Sequence, residues 1–130
     1  EKLSRVLALY RASDFAAAKA TTARILAHQG AGHSVGIHTA EDARAVELGR
    51  DLPTCRVIVN QPHTFATGGS FNNGMPFSLS MGCGSWGGNS IDTNLNWRHF
   101  IQTAKVIREI PAREPAVKDI FADYWAETGQ

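Results

Sequence analysis

Gly82-Cys83-Gly84-Ser85-Trp86-Gly87 sets a thiol between two glycines, and the hexapeptide also matches the pattern G-x-G-x-x-G. As a nucleophile, Cys83 needs an activating base or the positive end of a helix, and neither stands nearby in sequence; His99 or His63 would have to approach in space. As a dinucleotide fingerprint, the glycines must open a helix, with Glu109 downstream at a distance suited to a ribose-binding acid. The next residues are instead Gly88-Asn89-Ser90-Ile91-Asp92-Thr93-Asn94, a run of poor helix formers. The segment therefore reads as a glycine-rich crossing of two backbones, and Cys83 as a small structural thiol. Cys55, at the head of an apolar strand, reads as core. The two cysteines form no C-x-x-C and no pair of histidines stands at metal spacing, so neither a disulfide framework nor a zinc site is expected, while a single buried disulfide stays compatible. Sparse cysteine fits a reducing cytoplasm.

The histidines differ in what they can do. His33 and His38 leave opposite faces of a strand and share no metal. His28, at a helix end, complements the helix dipole without further function. His63 lies in Pro62-His63-Thr64-Phe65, just past the carboxyl end of a strand, where parallel α/β sheets hold their ligands. His63, Thr64 and Phe65 are therefore the positional candidates for contacting a substrate, an ordinary solvated loop being an equal reading.

These residues need a scaffold, and its pattern is α/β. Val6 to Tyr10 is an apolar run of strand length, Ser13-Asp14 starts a helix carrying Phe15, Ala18, Thr22, Ile25 and Leu26, and Gly30 and Gly32 stop it. His33 to His38 predicts a second strand, and Thr39 with Asp42 resembles a capping box for a helix with Ala45, Leu48 and Leu52 on one face. Pro53 closes that helix, and Arg56 to Asn60 predicts a third strand, covered on both faces. The order βαβαβ implies right-handed crossovers and a parallel sheet. From Gln61 periodicity disappears among glycines and prolines, but Met75, Phe77, Leu79, Met81 and Trp86 argue for an ordered loop over a site. Ala104 to Ile110 is β-like, and Val117, Ile120, Phe121, Tyr124 and Trp125 make the apolar stripe of a C-terminal helix opened by Pro115.

The chain's 130 residues make about one domain, with 43% hydrophobic and 19% charged residues, enough for an ordinary core. Thirteen Lys and Arg against twelve Asp and Glu leave a net charge of +1 without long runs, which excludes nucleic acid and anionic membrane as expected partners. No apolar run reaches the roughly 18 residues of a membrane span, and the opening Glu1-Lys2-Leu3-Ser4-Arg5 has no signal-peptide core and no initiator Met. A cytoplasmic piece of something longer is expected.

Glu1-Lys2-Leu3-Ser4, the run Tyr10-Arg11-Ala12-Ser13-Asp14-Phe15, Gly32-His33 and Gly82-Cys83-Gly84-Ser85-Trp86-Gly87-Gly88-Asn89-Ser90 together resemble the CoA-acylating aldehyde dehydrogenases. The resemblance spans roughly residues 1 to 110, in the order of the last part of that family's catalytic domain, and Asn94-Leu95-Asn96-Trp97-Arg98-His99-Phe100 with the aromatic tail looks most like the sulfoacetaldehyde branch. It implies a cysteine thiolate attacking an aldehyde, hydride leaving to NAD or NADP, and the thioester passing to coenzyme A. The family's nucleophile and nucleotide-binding domain lie upstream of the matching segment, so no catalytic residue is expected in this chain and the chain alone is expected to be inactive. Glu1 matches the family's glutamate that hydrogen-bonds the nicotinamide ribose, and is the one expected cofactor-binding residue, although Arg5 departs from the family's usual proline. Residues 104–110 correspond to a late strand that pairs with a neighbouring subunit, implying a homo-oligomer, with 1–110 as catalytic-domain segment and 111–130 as helical tail. The expected partners are then a small aldehyde and the upstream part of the same protein. A small anionic aldehyde would need donors, for which His63, Thr64, Thr67 and the amides of Gly68 and Gly69 are the candidates. The alternative reading is a noncatalytic α/β interaction module whose glycine-rich loop binds a partner.

Overall fold

A computed structural model describes residues 4–129. Helix α1, Phe15–His28, begins where the Asp14 carboxylate accepts a hydrogen bond from the Ala17 amide at 2.8 Å. This occupies one of the first-turn amides that have no intrahelical partner. Strand β1, Val35–Ile37, and strand β2, Val57–Val59, flank helix α2, Asp42–Asp51. The strands pair in parallel with Val35 opposite Val57, Gly36 opposite Ile58 and Ile37 opposite Val59. A further parallel bridge joins Gly32 to Thr54. Leu26 of α1 and Leu48 and Leu52 at the end of α2 form the buried core, with Phe15, Ala23, Val35, Ile37 and Val57 packed against it. The helices are also clamped electrostatically: Lys19 of α1 pairs with Glu47 and Asp51 of α2.

The mixed α/β class and the parallel pairing agree with the sequence reading, but the βαβαβ order is cut to β1-α2-β2. Val6 to Tyr10 forms no strand and exposes its side chains, Leu7 being 88% accessible. A strand is completed by a hydrogen-bonded neighbour, and apolar propensity alone does not supply one. For the same reason residues 104–110 carry no strand, and Val106, Ile107 and Ile110 are exposed. Helix α2 starts at Asp42 with Glu41 as its cap, so the Thr39 capping box is not made; the Thr39 hydroxyl instead accepts from the Glu41 amide at 3.0 Å.

Within the segment read as irregular, His63–Thr67 forms a short helix, α3. The glycine-rich part folds back on itself through the bonds Gly82 N to Thr93 O at 3.0 Å, Gly84 N to Ile91 O at 2.9 Å and Leu95 N to Ser80 O at 2.8 Å. The expected tail helix is split into α4, Val117–Ile120, and α5, Ala122–Thr128, around Phe121, whose ring stacks on Trp125. Ala116 caps α4, which leaves Pro115 outside the first turn. Among the described residues, no helix is long and apolar enough to cross a membrane.

Candidate functional site: the loop beyond β2

The carboxyl ends of β1 and β2 are tied by one side chain. Asn60, in the left-handed region at φ 53°, accepts from the Thr39 amide at 2.9 Å and donates to the Thr39 carbonyl at 2.8 Å. Short polar side chains tolerate this backbone and add local bonds, which is how β2 turns sharply into Pro62 and α3. Helix α3 presents its residues unequally. Ala66 and Thr67 are buried, whereas Thr64 is exposed and Phe65 is 79% accessible. The Thr67 hydroxyl is turned inward onto the Thr64 carbonyl at 3.2 Å.

His63 does not project outward. Its ring folds over β1, where its Nδ1 would stand 2.5 Å from a Cβ at Gly36, so only glycine leaves room there. Its Nε2 lies 2.8 Å from the Ser34 hydroxyl, and the same oxygen lies 2.7 Å from Nδ1 of His33. Burial, with the facing His33, pushes the His63 imidazole below the ordinary histidine range. The amides of Gly68 and Gly69 both turn back to the Ala66 carbonyl, so neither is presented to a ligand. The sequence candidates thus divide: Thr64 and Phe65 face out, while His63, Thr67, Gly68 and Gly69 hold the loop's shape. Glu1 lies outside the described residues.

The loop is held from below by two residues that pattern reading missed. Arg56 is 5% accessible; its Nε donates to Asn94 Oδ1 at 3.2 Å, and its Nη1 donates to the carbonyls of His33 at 3.1 Å and Gly82 at 2.9 Å. Asn94, 0% accessible, donates through Nδ2 to the carbonyls of Thr67 and Pro76, both at 2.8 Å. One guanidinium and one amide therefore join the start of β1, the end of α3 and the glycine-rich turn. The signal in the sequence was a charged residue opening an otherwise apolar strand. Above this pair, Asn73 donates to Gln61 at 3.1 Å and to the Ala66 carbonyl at 3.2 Å. Gln61, Asn73, Met75 and β2 line a cavity of about 290 Å³.

The glycine-rich turn has the structural character expected of it. Ser85–Gly87 is a single 3-10 turn that opens no α-helix. The amides of Gly82, Gly84, Gly87 and Gly88 are bonded to protein carbonyls, and that of Cys83 to Asn89 Oδ1 at 2.8 Å. Amides so engaged cannot cradle a pyrophosphate, which needs them free and aimed at the ligand. Gly32, at φ 84°, admits the turn: a Cβ there would lie 2.0 Å from the Cys83 carbonyl oxygen. Cys83 is half-buried with no hydrogen bond to its sulfur among the described residues, and burial pushes the Cys55 thiol up, away from the reactive thiolate.

The fold and site thus define an α/β segment whose two parallel strands carry an ordered, internally hydrogen-bonded loop beyond β2. No protein-family model matches the chain. Over all 130 residues it is 52% identical to the acylating sulfoacetaldehyde dehydrogenase of Cupriavidus necator, and it covers 26% of that protein. It is 42% identical over 106 residues, 82% of this chain and 23% of the relative, to the acetylating succinate-semialdehyde dehydrogenase of Clostridium kluyveri. The crystal structure of an acetylating aldehyde dehydrogenase from Geobacillus thermoglucosidasius matches with a TM-score of 0.71 and 32% identity, covering 87% of this chain and 25% of that one. The chain belongs with the acylating aldehyde dehydrogenases and corresponds to a C-terminal part of them. It spans about a quarter of the length of these curated relatives.

Proposed function

We propose that the protein containing this chain oxidises a small anionic aldehyde to its acyl-CoA, with NAD or NADP taking the hydride. The balance is aldehyde, CoA thiol and oxidised nucleotide going to thioester, reduced nucleotide and a proton. The observation that carries this reading is the likeness along the whole chain to an acylating sulfoacetaldehyde dehydrogenase, with another relative named for succinate semialdehyde. One named substrate bears a sulfonate and the other a carboxylate, so an anion recurs where the rest of the molecule differs. In this reading the thioester-forming cysteine lies upstream of the chain. In the same reading nucleotide and CoA are held mainly by other parts of the protein, with Glu1 as the one residue of this chain assigned to the nicotinamide ribose.

The chain's own contribution is the loop after β2. Thr64 and Phe65 are its outward groups, and the Arg56–Asn94 pair fixes where they stand. Residues 104–110, with Val106, Ile107 and Ile110 exposed, are the arm that pairs with a second subunit of a homo-oligomer, since an unpaired apolar edge in water otherwise invites aggregation. We place that oligomer in the cytoplasm. Residues 1–110 then serve the catalytic domain and 111–130 its helical tail. The test is steady-state kinetics of the intact protein with sulfoacetaldehyde, succinate semialdehyde and acetaldehyde, each with CoA and NAD or NADP. A kcat/KM for the anionic aldehydes at least about tenfold above that for acetaldehyde is expected, since a neutral aldehyde lacks the charge-assisted hydrogen bonds an anion can make. Preference for acetaldehyde would reject the anionic substrate.

A further inference from the structure

We infer that Ser34 is a positioning residue that bridges His33 and His63 through one hydroxyl and fixes the His63 ring at the root of the loop. The Ser34 oxygen lies 2.7 Å from His33 Nδ1 and 2.8 Å from His63 Nε2, so one hydroxyl serves two imidazoles. A hydroxyl has one proton to give and lone pairs to receive. When His33 is charged, its Nδ1–H donates to Ser34, whose own proton is free for His63 Nε2, and His63 is held as a neutral acceptor with its hydrogen on Nδ1. When His63 is charged, the bonds reverse and His33 is the neutral acceptor. The hydroxyl can donate to one ring at a time, so the two imidazoles take complementary roles toward Ser34. The ring is seated over Gly36, where a Cβ would come within 2.5 Å of its Nδ1. Among the described residues, His33 is the titratable group that acts on His63, which is otherwise governed by burial.

The consequence for catalysis rests on the proposed reading of residues 63–69 as the substrate loop; the coupling itself does not. His63 is the first residue of α3, so the state of an exposed surface imidazole is transmitted through one hydroxyl to the base of the helix that presents Thr64 and Phe65.

The experiment is nitrogen NMR of ring-labelled histidine in the intact protein, with Ser34→Ala, Ser34→Thr and His33→Gln. While His33 donates to Ser34, neutral His63 is expected as the Nδ1–H tautomer, which Ser34→Ala turns into a mixture and Ser34→Thr restores, because threonine keeps the hydroxyl. His33→Gln removes the facing imidazole and should move the His63 titration upward. A His63 tautomer and titration unmoved by Ser34→Ala and His33→Gln would overturn the inference; if Ser34→Ala does not fold, an unmoved titration in His33→Gln overturns it alone. The same variants assayed with sulfoacetaldehyde separate the two readings. A tautomer that responds while KM and the pH profile do not would remove the substrate role of the loop and leave the coupling standing.

Discussion

Replacing Asn94 by alanine should loosen the loop at three points at once. The side chain is fully buried, accepts from Arg56 Nε at 3.2 Å and donates to the Thr67 and Pro76 carbonyls at 2.8 Å each. Each lost hydrogen bond costs about 1 kcal/mol net and more where a partner stays buried and unpaired, with the bond to a charged group near the top of the range. Three such losses amount to about 3 to 5 kcal/mol, a large fraction of a typical stability of ~5 to 15 kcal/mol. Arg56 makes the cost steeper, because Nη2 already has no partner among the described residues and losing the Nε acceptor leaves a buried cation held by two carbonyls. Hydrogen exchange of the intact protein is the assay, since it reports the loop separately from the rest. The amides of Gly82 and Ser78, bonded to Thr93 and Gly68, should lose protection by two or more orders of magnitude. Those of α1, remote from Asn94, should change little. Protection at Gly82 and Ser78 within about threefold of the unsubstituted protein, a change of less than 1 kcal/mol, would refute the assignment of this pair as the loop's support.

Particular contacts set four further outcomes. Gly36→Ala should destabilise by about 1 to 2 kcal/mol by driving a Cβ into the His63 ring, and the penalty should vanish in a His63→Ala background; an equal cost in both backgrounds in chemical denaturation would clear His63. Asp14→Ala should cost about 1 kcal/mol by removing the α1 cap, checked by the same denaturation midpoint. The Arg50 and Lys19 cations hold the Asp51 carboxyl well below the usual carboxylate range, so its stabilisation is full above the unfolded value and is lost as pH falls below it; Asp51→Asn should flatten that acid limb of the stability curve. Cys83→Ser should keep most of kcat in the intact enzyme, and a loss of several orders of magnitude would give the thiol a chemical role after all.

The parts of the fold legible in the sequence were those set by local periodicity with a partner close in the chain. Leu26, Leu48 and Leu52 fall on helical faces, and Arg56 to Asn60 reads as a covered strand because its neighbour arrives one helix earlier. Val6 to Tyr10 and residues 104–110 have the same strand-like composition, yet they meet no partner in the described residues, and composition does not reveal where a partner comes from. At the site, sequence located the loop by its place after a strand but not the directions of its side chains. Whether His63 points to solvent or back over Gly36 is decided by Ser34 and by the missing Cβ, two features far from it in sequence. Arg56 and Asn94 escaped notice because a buried polar pair has no period; only their bonds identify them.

Under the proposed function, this chain serves an enzyme that joins aldehyde oxidation to thioester formation. Mass spectrometry of the products tests this, with the intact protein given sulfoacetaldehyde and NAD or NADP, with and without CoA. Sulfoacetyl-CoA should form mole for mole with reduced nucleotide, and turnover should stop after about one equivalent when CoA is withheld, because the acyl-enzyme then has no acceptor. Sustained nucleotide reduction without CoA, yielding the free acid, would contradict it.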